Sequence, residues 1–215
     1  MDVDAFARAL PGLWDDFPRS ELPRDPFFAE LLDAVGGLAR PNNLALLAAA
    51  SAARDAGESY VEIGAFKGAS AIAAAHGCPR DVVTIDNFAM EGAERDILER
   101  NLHAFGCDDV TVLEGDAFEL LHGGAIGERR VGVYYYDARH KYEFQLEALR
   151  AIEPHLADRA LLIVDDSDWP DVERATRDWL ETQPRAKPLL WIDGKDKGMP
   201  WWWEGMCLID WRSAR

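Results

Sequence analysis

Acidic residues follow the apolar runs of this 215-residue chain at the points where predicted strands end. Helical patterns separate the runs, which indicates buried strands joined by helices. The acids at or just beyond the ends of the first five runs are Glu62, Asp86, Asp116, Asp137 and the pair Asp165 and Asp166. Because parallel strands end at the same edge of a sheet, we expect these carboxylates to lie where such sheets bind ligands.

The first predicted strand leads into a turn that contains two glycines, Gly64 and Gly68. Gly64 allows backbone dihedrals that other residues avoid, and Gly68 allows the next helix to begin close to a ligand. This spacing differs from the Gly-x-Gly-x-x-Gly pattern that binds the pyrophosphate of a dinucleotide. Since Glu62 would repel a phosphate, the turn favours a positively charged nucleoside such as S-adenosylmethionine. A plain strand-to-helix turn is the alternative.

Two further acids follow the second and third strands. Asp86 lies about twenty residues after the first glycine, at the spacing where an acid binds ribose hydroxyls. That role fits NAD equally well, and a solvated acid at a strand end is the other interpretation. Asp116, between Gly115 and Ala117, is placed to flank an adenine ring or to cap a turn or helix.

The fourth and fifth strands should be neighbours, which would bring Asp137, Asp165 and Asp166 together. Like charges this close are costly unless a cation lies among them, and carboxylate oxygens suit magnesium or calcium. Solvated acids on a loop are the alternative. His140 follows Asp137 by three residues and predicts a general base that acts near neutral pH. A helix cap or a structural hydrogen bond would explain it equally well.

The elements that must position these residues are predicted strands at 59–63, 82–86, 110–113, 131–136, 160–164, 188–192 and 201–211. Their alternation with helices favours an α/β fold, a Rossmann-like, doubly wound, mostly parallel seven-stranded sheet with an antiparallel C-terminal edge hairpin. We expect a single domain over residues 1–215. It divides into a helical appendage (1–40), a cofactor-binding core (41–185) and the C-terminal β-hairpin (186–215). The appendage is a lid, a dimer contact or simple packing.

The composition restricts the partners. A net charge of −16 disfavours nucleic acid, whose binding depends on clustered Lys and Arg. The acidic N-terminus and the absence of a long apolar run predict no signal peptide and no membrane contact, hence a cytoplasmic protein.

At these positions the chain resembles the class I S-adenosylmethionine-dependent methyltransferases, and among them the magnesium-dependent small-molecule O-methyltransferases of the catechol type and their bacterial natural-product relatives. The resemblance extends from about residue 60 to residue 180. It depends on the segments 61–70, 115–117, 137–143 and 164–166, together with Asp86.

The resemblance implies a role for each of these positions. Glu62, Gly64, Phe66 and Ser70 would line the methionine side of the cofactor, with Gly68 in the same turn, and Asp86 would bind its ribose. Gly115, Asp116 and Ala117 would flank the adenine. Asp137 would contact the methionine amino group and, with Asp165 and Asp166, hold magnesium, while His140 would be the catalytic base.

Catechol-type enzymes carry Lys as base and Asn as the third metal ligand, where this chain has His140 and Asp166. The pattern Asp-x-x-His-x-Tyr-Glu over 137–143 is more similar to bacterial enzymes that methylate sugars, macrolides or other secondary metabolites. We therefore predict a magnesium-dependent O-methyltransferase acting on a small hydroxylated acceptor, either a monomer or a homodimer. A metal-independent methyltransferase of the same fold, a nucleotide- or NAD-binding protein and a catalytically silent binding module are the alternatives.

Overall fold

The computed structural model describes residues 1–213. The strands are β1 (Glu58–Ile63), β2 (Val82–Asp86), β3 (Thr111–Glu114), β4 (Arg130–Tyr136), β5 (Leu156–Asp165), β6 (Ala186–Ile192) and β7 (Met206–Arg212). The α-helices are α1 (Val3–Ala9), α2 (Phe27–Val35), α3 (Pro41–Ala52), α4 (Ala69–Gly77), α5 (Arg95–Ala104), α6 (Ala117–His122), α7 (Tyr142–Ile152) and α8 (Pro170–Thr182). Within this range no helix combines the length and the apolar character that a bilayer span requires.

All seven strands form one sheet in the order β3-β2-β1-β4-β5-β7-β6. β1 to β5 pair in parallel, and β7 runs antiparallel to both β5 and β6. This arrangement confirms the predicted Rossmann-like α/β sheet with its antiparallel edge hairpin. The direction of winding reverses between β1 and β4, which is the point where doubly wound sheets bind ligands.

Helices cover both faces of the sheet. Residues of α1 to α5, such as Leu46 and Ile72, pack against one face, and residues of α6 to α8, such as Leu149 and Trp179, pack against the other. Because the central strands are buried on both sides, they show continuous apolar runs in the sequence rather than an alternation of apolar and polar residues.

Capping residues determine where several helices begin. α3 and α8 begin at Pro41 and Pro170, where the missing N–H costs no helical hydrogen bond. Asp116 caps α6, since its Oδ1 accepts hydrogen bonds from the N–H groups of Phe118 at 3.0 Å and Glu119 at 3.2 Å. The capping interpretation of Asp116 is therefore correct. The sequence did not predict α6 or α1, whose six and seven residues are too few to show a helical period.

The C-terminal region differs from the prediction in one respect. β7 begins at Met206, so residues 201–205 form a loop and not the start of a strand. Trp202 in this loop is buried, and its Nε1 donates a hydrogen bond to the Pro18 carbonyl at 2.8 Å. Its ring centroid lies 5.7 Å from that of Trp14. The loop does not continue the strand because Trp202 packs against Trp14 and Pro18 of the N-terminal appendage.

Candidate active site

A cavity of about 640 Å³ opens at the carboxyl ends of the parallel strands. One end is lined by the turns that follow β1, β2 and β3. The other end is lined by residues that follow β4 and β5 and by the loop before β7. The predicted site residues that line the cavity are Gly64, Phe66, Ser70, Asp86, Gly115, Asp116, Ala117, Asp137, His140 and Asp166. Glu62, Gly68 and Asp165 lie outside its lining.

Gly64 lies where the strand order reverses. Its N–H donates to the Ile85 carbonyl and the Asp137 N–H donates to the Ile63 carbonyl, both at 2.9 Å. A Cβ atom at position 64 would lie 1.7 Å from the Asp137 carbonyl oxygen, and φ is +98°. The glycine is therefore required because the backbones after β1 and β4 approach each other at this point.

Gly68 lies at the start of α4, between residues that line the cavity. It caps α4 with φ +94°, a conformation that favours glycine. An added Cβ would contact Leu98 of α5 at 3.5 Å and would not enter the cavity. The glycine therefore serves the backbone conformation at the start of a helix whose first residues, Ala69 and Ser70, line the cavity. The predicted approach of this turn to a ligand stays a prediction.

Glu62 is fully buried and bound by three hydroxyl groups. Thr84 Oγ1 donates to its carboxylate at 2.8 Å, the Tyr60 hydroxyl at 3.0 Å and Ser70 Oγ at 3.2 Å. Burial raises the pKa of Glu62 to about 7. Among these partners only Ser70 also lines the cavity, so Ser70 links the buried carboxylate to the cavity. The contact of Glu62 with the methionine side of a cofactor stays a prediction.

Asp86 organises two turns of the cavity wall. Its Oδ2 accepts the N–H of Phe66 and its Oδ1 accepts the N–H of Phe88, both at 2.8 Å. Both phenylalanines have positive φ, 48° and 52°, a strained conformation that occurs often at ligand sites. The interpretation of Asp86 as a merely solvated acid is therefore wrong, whereas its contact with a ribose stays a prediction.

Asp165 is held by the protein and does not face the cavity. Its Oδ2 accepts a hydrogen bond from the Tyr135 hydroxyl, and its Oδ1 accepts the backbone N–H of Asp166 at 2.9 Å. The Tyr135 hydroxyl also lies 3.2 Å from Asp137 Oδ2. Burial, together with the adjacent carboxylates, raises the pKa of Asp165 to about 7 and that of Asp137 well above its usual range. Asp165 therefore lies outside the cavity lining, and its role as a metal ligand stays a prediction.

His140 takes the place of Asp165 in the cluster. Its Nε2 lies 3.0 Å from Asp166 Oδ2. Asp137, His140 and Asp166 each offer a ligand atom within 4.8 Å of the others. Asp166 has φ 51°, and its buried Oδ1 has no hydrogen-bond partner. The Trp169 ring centroid lies 5.0 Å from that of the histidine, so an apolar surface adjoins the cluster.

Sequence reasoning missed several residues that line the cavity, among them Asn43, Trp169 and Trp203. Asn43 lies in the first turn of α3, and its Oδ1 accepts the backbone N–H of Trp203 at 3.2 Å. Trp203 falls within the strand predicted over residues 201–211, and that prediction did not indicate that it lines the cavity. No local signal indicates that α3 and the loop before β7 meet, because this contact joins residues 160 positions apart.

Solved structures share this fold over nearly the whole chain. The O-methyltransferase from Bacillus cereus in complex with SAH is 17% identical, with a TM-score of 0.66 and 97% of both chains covered. TomG, the O-methyltransferase from Streptomyces achromogenes solved with SAM, is 18% identical, with a TM-score of 0.65 over 99% of this chain and 100% of that one. Cofactor-bound Rv0187 from MTB is 24% identical, with a TM-score of 0.65 over 99% and 97%. The fold is that of the class I methyltransferases.

Residues 61–167 match the family model described as a methyltransferase domain. This stretch includes the glycine turn after β1, Asp86, Asp137, His140 and Asp166. The chain contains this methyltransferase domain and is an enzyme of the class I S-adenosylmethionine-dependent type, as the resemblance implied. No curated protein sequence matches the chain.

Proposed function

We propose that this enzyme transfers the methyl group of S-adenosylmethionine to a hydroxyl oxygen of a small metabolite. The observation that carries the proposal is the His140–Asp166 pair, which lines the same cavity as the glycine turn and Asp86. We call the part lined by residues 64–67, 69–70, Asp86 and 115–117 the cofactor end. The part lined by Asn43, Asp137, His140, Asp166, Trp169 and Trp203 is the acceptor end.

At the cofactor end, Asp86 is the proposed partner of the ribose hydroxyls. Each of its oxygens accepts one backbone hydrogen bond and keeps a second lone pair for a hydroxyl donor. Gly115, Asp116 and Ala117 are proposed to flank the adenine. Ser70 is proposed to contact the methionine side of the cofactor, supported from below by Glu62.

At the acceptor end, His140 is the proposed general base. When its Nε2–H donates to Asp166, the imidazole carries no proton on Nδ1, which can then accept the proton of the acceptor hydroxyl. The acceptor oxygen forms a bond to the methyl carbon, the carbon–sulfur bond breaks, and its electron pair stays on the sulfur of S-adenosylhomocysteine. Asp166 orients the ring and stabilises its charged form.

The donor atoms at the acceptor end fit a divalent cation. Asp166 Oδ1 is buried without a partner, and carboxylates as close as those of Asp137 and Asp166 are costly without positive charge between them. Asp137 and Asp166 would hold magnesium, and the ion would lower the pKa of the acceptor hydroxyl. Asp165 is a positioning residue in this proposal, because it lies outside the cavity lining and accepts hydrogen bonds from the Tyr135 hydroxyl and the Asp166 N–H.

A metal-independent methyltransferase is the second candidate. The 3.0 Å contact between His140 and Asp166 favours it, since a histidine oriented by a carboxylate can act as a base without a cation. The acceptor class is proposed to be a secondary metabolite, in line with TomG, which is involved in tomaymycin synthesis. The cytoplasmic location and the homodimer stay predictions.

Release of S-adenosylhomocysteine in the presence of hydroxylated probes tests the transfer. We expect calorimetric binding of S-adenosylhomocysteine and none of NAD; the reverse result would refute the proposal and favour the NAD-binding alternative. Chelator should abolish turnover and magnesium should restore it, whereas full turnover in excess chelator would select the metal-independent candidate.

Thermal stability gives a second measure of the cation that does not depend on turnover. Magnesium should raise the melting temperature, because a ligand that binds only the folded state stabilises it. Asp166→Asn should remove this rise. Asp165→Asn is the matched control, because Asp165 is adjacent in sequence but its side chain binds Tyr135. This variant should keep the magnesium-dependent rise in melting temperature.

A further inference from the structure

Six buried side-chain polar atoms within residues 1–213 lack a hydrogen-bond partner, and two of them belong to residues that line the cavity. One is Asp166 Oδ1, which the cation proposal uses. The other is Asn43 Nδ2, on a residue with no exposed surface. An unpaired buried amide typically costs about 1 to 3 kcal/mol, so this group is poised to bind a ligand atom.

The orientation of the Asn43 amide is determined by the backbone. The N–H of Trp203 needs an acceptor and finds Asn43 Oδ1 at 3.2 Å. The amide oxygen therefore faces the loop, and the NH₂ group faces away from it. Because that group can only donate hydrogen bonds, its partner must be an acceptor such as a carbonyl or carboxylate oxygen.

The position of Asn43 relates it to the acceptor end. The cofactor end lies over β1, β2 and β3, whereas Trp203 belongs to the loop before β7, on the far side of β5. Asn43 contacts this loop directly. A molecule that reaches both His140 and Asn43 would therefore extend away from the cofactor.

Two tryptophans of the acceptor end provide surfaces for the rest of the acceptor molecule. Trp169 is 42% exposed and adjoins His140, so it offers a flat apolar surface beside the proposed base. Two cations lie near the Trp203 ring, with Arg40 Cζ 5.4 Å and Lys195 Nζ 4.6 Å from its centroid. These cations add positive charge near the loop, although Lys195 also pairs with Glu204.

We propose that the acceptor carries a carbonyl or carboxylate substituent, and that Asn43 Nδ2 recognises the oxygen of that substituent. The inference rests on the proposed O-methyl transfer, since it assigns the acceptor for that reaction. The methionine carboxylate of the cofactor offers the same oxygen chemistry, and the experiment separates the two sources.

Three probes share one dihydroxyphenyl ring: 4-methylcatechol, 3,4-dihydroxybenzaldehyde and 3,4-dihydroxybenzoate. Their dissociation constants are measured by calorimetry on the full chain saturated with S-adenosylhomocysteine. At least one of the two oxygen-bearing probes should bind about 5-fold or more tightly than 4-methylcatechol, which corresponds to one hydrogen bond. Equal binding of all three overturns the proposal, and this comparison needs no variant.

Variants then assign the effect to the amide. Asn43→Asp keeps an oxygen for the Trp203 N–H and replaces the NH₂ group by a second acceptor, and Asn43→Leu removes both groups at similar size. We define the preference as the dissociation constant of 4-methylcatechol divided by that of the oxygen-bearing probe. Both variants should reduce this ratio to about 1 and leave S-adenosylhomocysteine affinity unchanged. An unchanged preference overturns the proposal. Weaker S-adenosylhomocysteine binding with an unchanged preference also overturns it and assigns the amide to the cofactor.

Asn42 provides the matched control. It is the neighbouring buried asparagine, but its Oδ1 accepts from Trp14 Nε1 at 2.8 Å and its Nδ2 donates to the Ser20 carbonyl at 2.9 Å. Asn42→Asp should lower stability and keep the probe preference. The Asn43 variants could lose the probe preference although the wild type methylates none of the probes. That result would count against the proposed reaction and still support recognition by Asn43.

Discussion

The two ends of the cavity are built in different ways. The cofactor end consists of turns that directly follow three adjacent strands, and Asp86 binds two of these turns through backbone N–H groups. The acceptor end collects side chains from α3, from the segments after β4 and β5 and from the loop before β7. The first end therefore follows from the sheet topology, whereas the second depends on how distant segments pack together.

His140→Ala gives the sharpest test of this division. We expect turnover to fall by about two to four orders of magnitude, because a general base typically contributes that much. Binding of S-adenosylhomocysteine should be unchanged, since His140 belongs to the acceptor end. Rates from product release and affinities from calorimetry provide the two readouts. Nearly full activity would assign His140 to structure and leave the acceptor end without its base.

Glu62→Gln examines the carboxyl group beneath the cofactor end. The pKa of Glu62 rises from 4.5 to about 7 on folding, so the folded state holds the proton more tightly than the unfolded state. Its stabilising contribution is complete below pH 4.5 and is lost as the pH rises through 7.

We therefore expect the free energy of unfolding of the wild type, relative to Glu62→Gln, to fall by about 2 to 3 kcal/mol between pH 5 and pH 8. Urea unfolding at both pH values measures it. Subtracting the variant cancels the titration of groups that the two proteins share. A difference that does not change with pH would contradict the raised pKa of Glu62.

Asp86→Ala is the converse of the histidine variant. Loss of the carboxylate removes the proposed ribose contact and two backbone hydrogen bonds, so S-adenosylhomocysteine affinity should fall by about 1 to 3 kcal/mol. Asp86→Asn keeps one acceptor oxygen and should lose less. Calorimetry on both variants measures the effect. Unchanged affinity in Asp86→Ala would remove this residue from the cofactor end.

Two exposed apolar residues at the cavity provide the smallest expected effects. Trp169 is 42% exposed beside His140, and Met90 is 53% exposed after β2. Trp169→Ala should raise the KM of the acceptor about 5-fold, since roughly 1 kcal/mol of apolar contact is lost. Met90→Ala should instead weaken S-adenosylhomocysteine by a similar factor. If both variants affect the same ligand, the proposed division of the cavity is wrong.

The sequence predicted the fold because strands that are buried on both faces of the sheet consist of continuous apolar residues. Apolar runs marked all seven strands, and the acids after them marked the edge at which the cavity lies. Helices α1 and α6 were missed because they are too short to show the helical repeat of apolar residues. The strand predicted over residues 201–211 began five residues too early, because the packing of Trp202 against Trp14 overrides β-propensity.

The sequence by itself determined where the strands lie, which acids follow them and where the glycine turn occurs. These features depend on local spacing and backbone conformation. Only the tertiary structure decided which acids face the cavity. Asp165 and Asp166 are adjacent, yet Tyr135 binds the first while the second, with φ 51°, contacts His140. The contact between Asn43 and Trp203 was likewise decided by packing, because side chains 160 positions apart meet only when both ends of the chain fold onto the same sheet.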